Sequence, residues 1–484
     1  MALHMKWVAR GLRSFLVLGG VVVASHGSGS AGAGQPAPPN IVLIISDDQG
    51  WTDYGFMGHP HIQTPHLDRL AREGVLFPRG HVPTPLCRPS LMSLATGLYA
   101  FQHGVTGNDP ARPAGATKPR PAGTAIRDPA ALRKRLITKI ERLPTIAKIL
   151  GWHGYLSHQS GKWWEGGYRI GGFTHGMTRG FPQPGGRHGD DGLKIGRTGM
   201  GPVFEFIDHT VAAGKPFFLW YAPFMPHQPH DPPARLREKY DRLGLDPALA
   251  RYYAMCEWFD ETCGALLGYL DAKALRENTL IVSVCDNGWI QRTAETPVPE
   301  GWKGGFAPHS KRSVREGGVR TPILFSWPGR LRPGIRQDLV SSIDILPTVL
   351  GAAGVPAPAG LPGLNLWTNL RSGAALKGRI LFGDSYAHDI ADVDHPEASL
   401  LNLWCIEDEW KLILAYDGVV PESAKVFHPD TEPVQLYQVV KDPQETQNLA
   451  ARYPDRVARL RQQIEQWYPL RERRLVRRSK GVKP

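Results

Sequence analysis

Two apolar stretches of the sequence, Ile41–Ile45 and Leu280–Cys285, are each followed within three residues by side chains that bind hard cations. These side chains are Asp47, Asp48, Asp286 and Asn287. Because ligand sites of open α/β sheets lie beyond the carboxyl ends of the strands, the four can meet at one sheet edge. Three carboxylates and one amide suit Ca²⁺, with Mg²⁺ as the alternative, better than Zn²⁺. Turn formation is the competing interpretation, since Asp and Asn often cap turns.

A cysteine, two lysines and a histidine could complete a site of this kind. Cys87 precedes the apolar helical stretch Leu91–Leu98, and the dipole of that helix is expected to lower the pKa of the thiol. The other three candidates are Lys162, His227 and Lys311. Together with a divalent cation they predict hydrolysis of an anionic ester, in which the cations offset charge on the ester oxygens and the histidine protonates the leaving group. Taken singly, each is more often an ordinary surface residue.

The elements that would position these residues are visible as alternating strand and helix patterns. Four runs are continuously apolar, as is typical of buried parallel strands: Ile41–Ile45, Phe217–Ala222, Leu280–Cys285 and Ile323–Trp327. Helical patterns lie between or beside them, at Leu67–Glu73, Thr145–Leu150 and Ala248–Ala272. This alternation predicts a doubly wound α/β sheet with helices on both faces.

The C-terminal part of the chain has a different pattern. The Pro/Gly/Ala-rich stretch Ala352–Gly363 indicates a boundary. After it, Arg379–Gly383 and Trp410–Tyr416 resemble strands and Pro454–Trp467 resembles a helix, which together predict a smaller α+β subdomain. Residues 109–130 are predicted as a surface loop. The predicted divisions are residues 39–370 for the main domain, 371–470 for the C-terminal subdomain and 471–484 for a basic tail.

The N-terminus has the pattern of a secretory signal peptide. Lys6, Arg10 and Arg13 precede an apolar run from Phe15 to Ala24 that is too short to span a membrane. We assign residues 1–24 to the signal peptide and 25–38 to a linker, and predict export to the periplasm or the extracellular space. The sequence contains no Asn-x-Ser/Thr acceptor, which fits a bacterial source.

The net charge of +12 lies mostly at the two ends of the 484-residue chain. The signal peptide and the basic tail contain most of the excess of Lys and Arg, so the body is only modestly cationic. No basic stripe is interleaved with aromatic residues, and we therefore expect no nucleic-acid partner. We also expect no integral membrane segment.

Over residues 39–470 the ordered motifs of the chain resemble the formylglycine-dependent sulfatases of the alkaline-phosphatase-like superfamily. The motifs include Pro39–Trp51, Thr64–Ala71, Cys87–Gly97, Gly161–Trp163, Cys285–Gly288, Glu316–Pro322, Asp344–Thr348 and Leu436–Leu449. The resemblance implies a large mixed, mostly parallel sheet flanked by helices, with a smaller C-terminal α+β subdomain. It implies hydrolysis of sulfuric esters, with a sulfated polysaccharide as the expected substrate and small aryl or alkyl sulfates as the open alternative.

The resemblance also implies a role for each candidate residue. Asp47, Asp48, Asp286, Asn287 and Cys87 match the metal ligands, and the expected metal is Ca²⁺. Cys87 matches the cysteine that a maturation enzyme oxidises to formylglycine, whose hydrated aldehyde attacks sulfur. Lys162 and Lys311 match lysines that hold the sulfate group, and His227 matches the histidine near the leaving oxygen.

Two positions depart from the family pattern. Leu91 stands where the Cys-x-Pro-x-Arg signature has Arg, and Trp164 stands where the Gly-Lys-Trp-His motif has His. We hypothesise that Arg88 supplies a compensating substrate-binding cation and that His175 supplies a compensating imidazole. Two alternatives stay open: an inactive relative that binds sulfated glycans, and a phosphoester or phosphonate-ester hydrolase on the same scaffold.

Overall fold

The computed structural model describes residues 37–111, 128–181, 186–420, 422–428 and 430–468. The predicted signal peptide, the linker up to residue 36, the basic tail and most of the predicted loop at 109–130 lie outside these residues. The described residues from Pro38 onward belong to one compact unit. No helix within the described ranges is long and apolar enough to cross a bilayer.

Strands and helices alternate through the first two thirds of the chain. The strands are β1 (Asn40–Ser46), β2 (Val75–Phe77), β3 (Gly80–His81), β4 (Asp109–Pro110), β5 (Leu156–Gly161), β6 (His175–Gly176), β7 (Phe217–Ala222), β8 (Thr279–Cys285), β9 (Ile323–Ser326), β10 (Gly334–Ile335), β11 (Val340–Ser341), β12 (Ile380–Tyr386), β13 (Asp389–Ile390), β14 (Leu400–Glu407), β15 (Trp410–Ala415) and β16 (Val434–Gln438). The α-helices are α1 (Pro65–Glu73), α2 (Cys87–Thr96), α3 (Ala100–His103), α4 (Pro129–Arg142), α5 (Ile146–Trp152), α6 (Gly201–Ala212), α7 (Ala234–Asp241), α8 (Pro247–Ala272), α9 (Glu316–Val319), α10 (Ile345–Ala353), α11 (Trp367–Ser372) and α12 (Pro454–Trp467).

The main sheet has eight strands in the order β10-β2-β9-β8-β1-β7-β5-β6. Neighbours from β8 to β6 run parallel, whereas β9 is antiparallel to both β8 and β2. This mixed, mostly parallel sheet confirms the predicted fold class. The prediction that Ile323–Trp327 is a parallel strand is wrong. An antiparallel strand that is covered on both faces has the same continuous apolar pattern, so the pattern does not reveal strand direction.

Strand β1 is buried along its whole length because helices cover both faces of the sheet. Ile41, Leu43 and Ile45 pack in a cluster with residues of α2, α5 and α10. Val42 and Ile44 point to the other face and pack with residues of α1, α6 and α8. Each fully buried side chain of this type contributes about 1.5–3 kcal/mol. The three layers therefore hold the carboxyl end of β1 rigidly.

The C-terminal residues form a separate antiparallel sheet in the order β12-β14-β15-β16. The strand-like stretches at 379–383 and 410–416 correspond to β12 and β15, and the predicted helix at 454–467 is α12. Leu460 and Ile464 of α12 pack against Leu403 and Leu412 of this sheet. The predicted small α+β element after the main sheet is therefore confirmed, while its limits at residues 371 and 470 stay predictions.

Candidate active site

The carboxyl ends of β1 and β8 bring the four predicted metal ligands together. The strands are parallel neighbours, and their register places Ser46 opposite Cys285. The residues that follow, Asp47-Asp48 and Asp286-Asn287, therefore lie side by side. The Asp48 amide donates to Asp286 Oδ1 at 3.3 Å, and Asn287 Nδ2 donates to Asp48 Oδ1 at 2.7 Å. All four side chains are buried.

Two buried lysines contact these carboxylates. Lys162 follows β5, and its Nζ lies 2.7 and 2.8 Å from the two carboxylate oxygens of Asp47 and 3.6 Å from Asp286 Oδ2. Lys311 Nζ lies 2.6 Å from Asp48 Oδ2. The site therefore combines three carboxylates with two ammonium groups at the end of the sheet.

The ionisation of the carboxylates reflects this crowding. Burial raises the pKa of Asp286 well above its ordinary value, and the neighbouring Asp47 adds to the rise. Burial acts in the same direction on Asp48, but Lys311, His227 and Lys162 together bring its pKa below the ordinary value. Burial alone would lower the pKa of Lys311, but the negative charge of Asp48 raises it to about 12. The two lysines are therefore charged, and they leave one carboxyl, Asp286, incompletely compensated.

Cys87 is the first residue of α2, and its thiol lies at the same cluster. One ligand atom from each of Asp47, Asp48, Cys87 and His227 lies within 4.8 Å of the others. Burial raises the pKa of the Cys87 thiol to about 12, and Lys162 and Lys311 oppose this only in part. The prediction that this pKa is lowered is therefore wrong, because loss of hydration at the buried thiol outweighs the positive charge of the two lysines. An unmodified Cys87 is a neutral thiol and a poor nucleophile at neutral pH.

His227 lies beside the carboxylates, as the sequence predicted. Its Nε2 is 3.3 Å from Asp48 Oδ2, and its Nδ1 is 2.6 Å from the backbone oxygen of Gln228. The ring stacks on Phe224 with centroids 4.2 Å apart. The Gln228 carbonyl can only accept, so it fixes a proton on Nδ1 and leaves Nε2 facing the cluster.

Arg88 does not reach the site as a free cation. Its side chain is fully buried, and its Nε and Nη2 donate to the two carboxylate oxygens of Glu165 at 2.6 and 2.7 Å. A third bond runs from Nη1 to the backbone oxygen of Asn108. The hypothesis that Arg88 binds substrate does not fit this geometry, because Glu165 already neutralises the guanidinium and satisfies its donors.

His175 lies away from the cluster. It pairs with His158 of β5, three residues before the end of that strand, and its ring contacts Phe206 and His209 of α6. The site lies at the opposite end of β5, after Gly161. The hypothesis that His175 replaces the lost imidazole therefore does not fit the structure. His175 is near the lysine motif in sequence, but the strand it belongs to carries it away from the site.

The two departures from the family pattern are filled by apolar packing. Leu91 and Trp164 are both buried and belong to the cluster on the α2 face of the sheet. The Trp164 ring lies 5.0 Å from the ring of His188, whose backbone oxygen accepts from the Trp163 amide at 3.0 Å. Burial lowers the pKa of His188 to about 3, with Lys162 acting in the same direction. His188 is therefore a neutral imidazole near Lys162.

Five further polar residues near the site were not predicted: His188, His230, Arg312, His388 and His428. Electrostatic interactions link His188 to Lys162, His230 to Asp48, Arg312 to Cys87, and both His388 and His428 to Arg312. Arg312 directly follows Lys311, and this adjacency was the one signal that could have identified it. The histidines lie in loops that come near the site only after folding, so neither spacing nor periodicity identifies them.

Comparison with known proteins identifies the family. Residues 39–355 match the family model described as Sulfatase, and residues 304–469 match the model described as N-sulphoglucosamine sulphohydrolase, C-terminal. The chain belongs to the sulfatase family. The resemblance seen in the sequence is thereby confirmed.

Individual sulfatases show the extent of the similarity. N-acetylgalactosamine-6-sulfatase of Canis lupus familiaris is 32% identical over 363 residues, which is 70% of this chain and 66% of that protein. Arylsulfatase A of Homo sapiens is 28% identical over 466 residues, which is 87% of this chain and 85% of that protein. A crystal structure of a sulfatase from Pseudoalteromonas sp. has a TM-score of 0.64 at 20% identity and covers 89% of this chain and 90% of its own. This sulfatase is therefore a hydrolase that acts on sulfate esters.

Proposed function

We propose that this sulfatase cleaves sulfate esters of glycans through a formylglycine made from Cys87, with Ca²⁺ held by Asp47, Asp48, Asp286 and Asn287. The observation that carries the proposal is the convergence of Cys87 Sγ with carboxylate oxygens of Asp47 and Asp48 inside 4.8 Å. The inactive, glycan-binding alternative gives no reason for this convergence of a cysteine with cation ligands. The matched relatives are sulfatases, so a phosphoester or phosphonate ester is not the better-supported substrate.

The donor atoms fit a hard cation. Asn287 Oδ1 and Asp286 Oδ2 are buried, yet neither accepts a hydrogen bond from the described residues. Leaving such acceptors unsatisfied costs about 1–3 kcal/mol each, and a bound cation removes that cost. Oxygen donors suit Ca²⁺ in particular. When bound, Ca²⁺ would neutralise the carboxylates and withdraw charge from the sulfate oxygens.

The lysines and His227 have separate tasks in this proposal. Once a cation compensates Asp47 and Asp48, Lys162 and Lys311 can turn their ammonium protons to the sulfate oxygens. His227 Nε2 faces the same space and can hold or pass a proton at the leaving oxygen. A hydrated formylglycine at this position would supply one hydroxyl to attack sulfur and a second hydroxyl, whose loss of a proton would expel sulfate as the aldehyde re-forms. The start of α2 fixes where that side chain points.

Maturation and location follow from the same proposal. A formylglycine-forming enzyme has to accept Cys87-Arg88-Pro89-Ser90-Leu91, with Leu91 in place of Arg. The pairing of Arg88 with Glu165 belongs to the folded state, so in the unfolded chain Arg88 is free to be recognised. We also propose that the chain is exported, to the periplasm or outside the cell, where sulfated polysaccharides are met as substrates. The name of the N-acetylgalactosamine-6-sulfatase relative supports a sulfated sugar as the substrate.

Turnover of 4-nitrophenyl sulfate tests the proposal. The protein is produced together with a formylglycine-forming enzyme and assayed with added CaCl₂, beside the Cys87→Ala variant. The variant is expected to lose at least about 10³-fold in kcat/KM, because the nucleophile is absent. Cys405→Ala, at a buried cysteine of the C-terminal sheet, is the matched control and should retain activity. Equal activity of Cys87→Ala and parent would contradict the nucleophile, and faster turnover of 4-nitrophenyl phosphate would favour the phosphoester alternative.

A further inference from the structure

Arg312 is a half-buried cation that forms no ion pair with the described carboxylates. Its backbone amide donates to the oxygen of Pro85 at 3.0 Å, so the residue lies against the loop that leads into Cys87. Its Nε is buried and makes no hydrogen bond, and no described carboxylate forms an ion pair with its guanidinium. A partly desolvated charge with a buried, unused donor is costly, so its retention points to a ligand that supplies the opposite charge.

Two aromatic rings lie close to the guanidinium of Arg312. Its central carbon lies 5.2 Å from the ring centroid of Phe427 and 5.8 Å from that of Phe306. Aromatic rings take up the face of a guanidinium, whereas the N–H bonds lie in its plane. The in-plane donors of Arg312 therefore stay available for a planar or tetrahedral oxyanion. The backbone of Arg312 has φ +71°, a left-handed conformation that other contacts have to maintain.

His428 adds two more unused polar atoms beside this guanidinium. Both of its ring nitrogens are buried, and neither has a hydrogen-bond partner among the described residues. The residue directly follows Phe427, the aromatic ring closest to Arg312. Burial lowers the pKa of His428 to about 3, and the charge of Arg312 contributes to the lowering. The neutral ring keeps one N–H donor, which is free for the same ligand.

His388 connects Arg312 and His428 to the segment that contains the proposed nucleophile, Cys87. The amide of Arg88, the residue after Cys87, donates to Asn108 Oδ1 at 3.0 Å. The amide nitrogen of Asn108 lies 3.2 Å from His388 Nε2, and His388 Nδ1 lies 2.6 Å from Asp389 Oδ1. The hydrogen bond with Asp389 orients His388. The side-chain donors of Arg312 and His428 stay available to a ligand. The group is thus next to the reacting centre but separate from Lys162 and Lys311.

We propose that Arg312 and His428, with His388 at their side, form a subsite for a second anionic group of the substrate, a carboxylate or a second sulfate on the sulfated sugar. The inference rests on the proposed function, because it assigns the substrate class of the same site. Lys162 and Lys311 hold the sulfate that is cleaved, and Arg312 holds the anion that is kept. The protein thereby selects polyanionic glycans over singly sulfated, otherwise neutral ones.

Binding of matched ligands tests the subsite without needing turnover. The ligands are the ortho, meta and para isomers of carboxyphenyl sulfate, each beside the carbamoylphenyl sulfate that has an amide in place of the carboxylate. Calorimetry with CaCl₂ measures their affinity for the Cys87→Ala protein, alone and combined with Arg312→Gln, His428→Gln or, as a control at an exposed arginine, Arg332→Gln. We expect at least one carboxylate to bind about 10-fold tighter than its amide, as one charge-assisted hydrogen bond allows.

The variants then decide the assignment. Arg312→Gln should reduce the carboxylate preference to about 2-fold or less, His428→Gln should reduce it in part, and Arg332→Gln should preserve it. Absence of any preference in the Cys87→Ala protein would overturn the subsite. Equal loss of affinity for acid and amide in Arg312→Gln would also overturn it, because Arg312 would then serve the cleaved sulfate. A thermal midpoint that does not fall in Arg312→Gln excludes a folding defect. Failure of the parent to hydrolyse 4-nitrophenyl sulfate would reject the proposed function instead.

Discussion

The buried pair formed by Arg88 and Glu165 gives the sharpest stability prediction. The two side chains are 1% and 2% exposed, and two parallel hydrogen bonds of 2.6 and 2.7 Å join them. Glu165→Gln keeps the size of the side chain but removes its charge, which leaves the guanidinium of Arg88 buried and uncompensated. Breaking one partner of such a pair costs about 3–5 kcal/mol. Glu165→Gln is therefore expected to lower the free energy of unfolding by this amount.

Urea unfolding of four proteins measures the effect. They are the parent, Glu165→Gln, Arg88→Met and the double variant Arg88→Met with Glu165→Leu. The double variant replaces both charges by apolar groups, which is often close to neutral, so it should recover most of the loss. A matched control at an exposed pair is Arg235→Gln, whose partner is Glu261 and for which a change below about 1 kcal/mol is expected. A change below about 1 kcal/mol for Glu165→Gln would refute the reasoning, as would a double variant less stable than either single one.

Three further predictions concern the site and the C-terminal sheet. Lys311→Met should lower kcat/KM for 4-nitrophenyl sulfate about 10²- to 10³-fold, while Lys303→Met, at an exposed lysine, should change it little. An unchanged kcat/KM in Lys311→Met would contradict the role of Lys311. Removal of Ca²⁺ with EGTA should abolish turnover. It should also lower the free energy of unfolding by about 2.7 kcal/mol, relative to protein in Ca²⁺ at 100 times its Kd. Identical urea unfolding curves with and without EGTA would argue against the cation site. Burial raises the pKa of Asp384 from 3.8 to about 8, so between these values the folded protein keeps a proton that the unfolded chain has lost, and stability falls as pH rises through this window. In Asp384→Asn the free energy of unfolding should therefore fall less steeply with pH, by up to about 1.4 kcal/mol per pH unit. If the free energy of unfolding changed with pH equally in variant and parent, the carboxyl of Asp384 would be ionised in the folded protein.

The sequence predicts the part of the site that lies on strand ends. Parallel strands put their carboxyl ends at one edge, so the sequence alone was enough to pair Asp47 with Asp286. The direction of β9 could not be predicted, because parallel and antiparallel strands have the same continuous apolar sequence pattern when both of their faces are buried. The four-stranded C-terminal sheet was predicted only in part: β12 and β15 were identified, whereas β14 and β16 were not, because periodicity alone does not distinguish a short apolar strand from a buried helix segment.

The errors at Arg88 and His175 have one physical cause. Both hypotheses used closeness in sequence to a motif as a substitute for closeness in space. Glu165, which binds Arg88, is 77 residues away in the chain, and no local pattern indicates it. Arg312 and His428 were missed for the same reason: they meet only because the C-terminal segment folds back beside the loop that contains Lys311. The pKa of Cys87 likewise depends on burial by distant segments.

The chemical state of Cys87 decides whether hydrolysis uses a formylglycine. Mass spectrometry of the peptide that contains Cys87, from protein produced in its native host, measures that state. The cysteine is expected to have lost one sulfur and two hydrogens and gained one oxygen, the change that turns cysteine into formylglycine. An unmodified thiol in protein that hydrolyses sulfate esters would show that Cys87 does not act as a formylglycine.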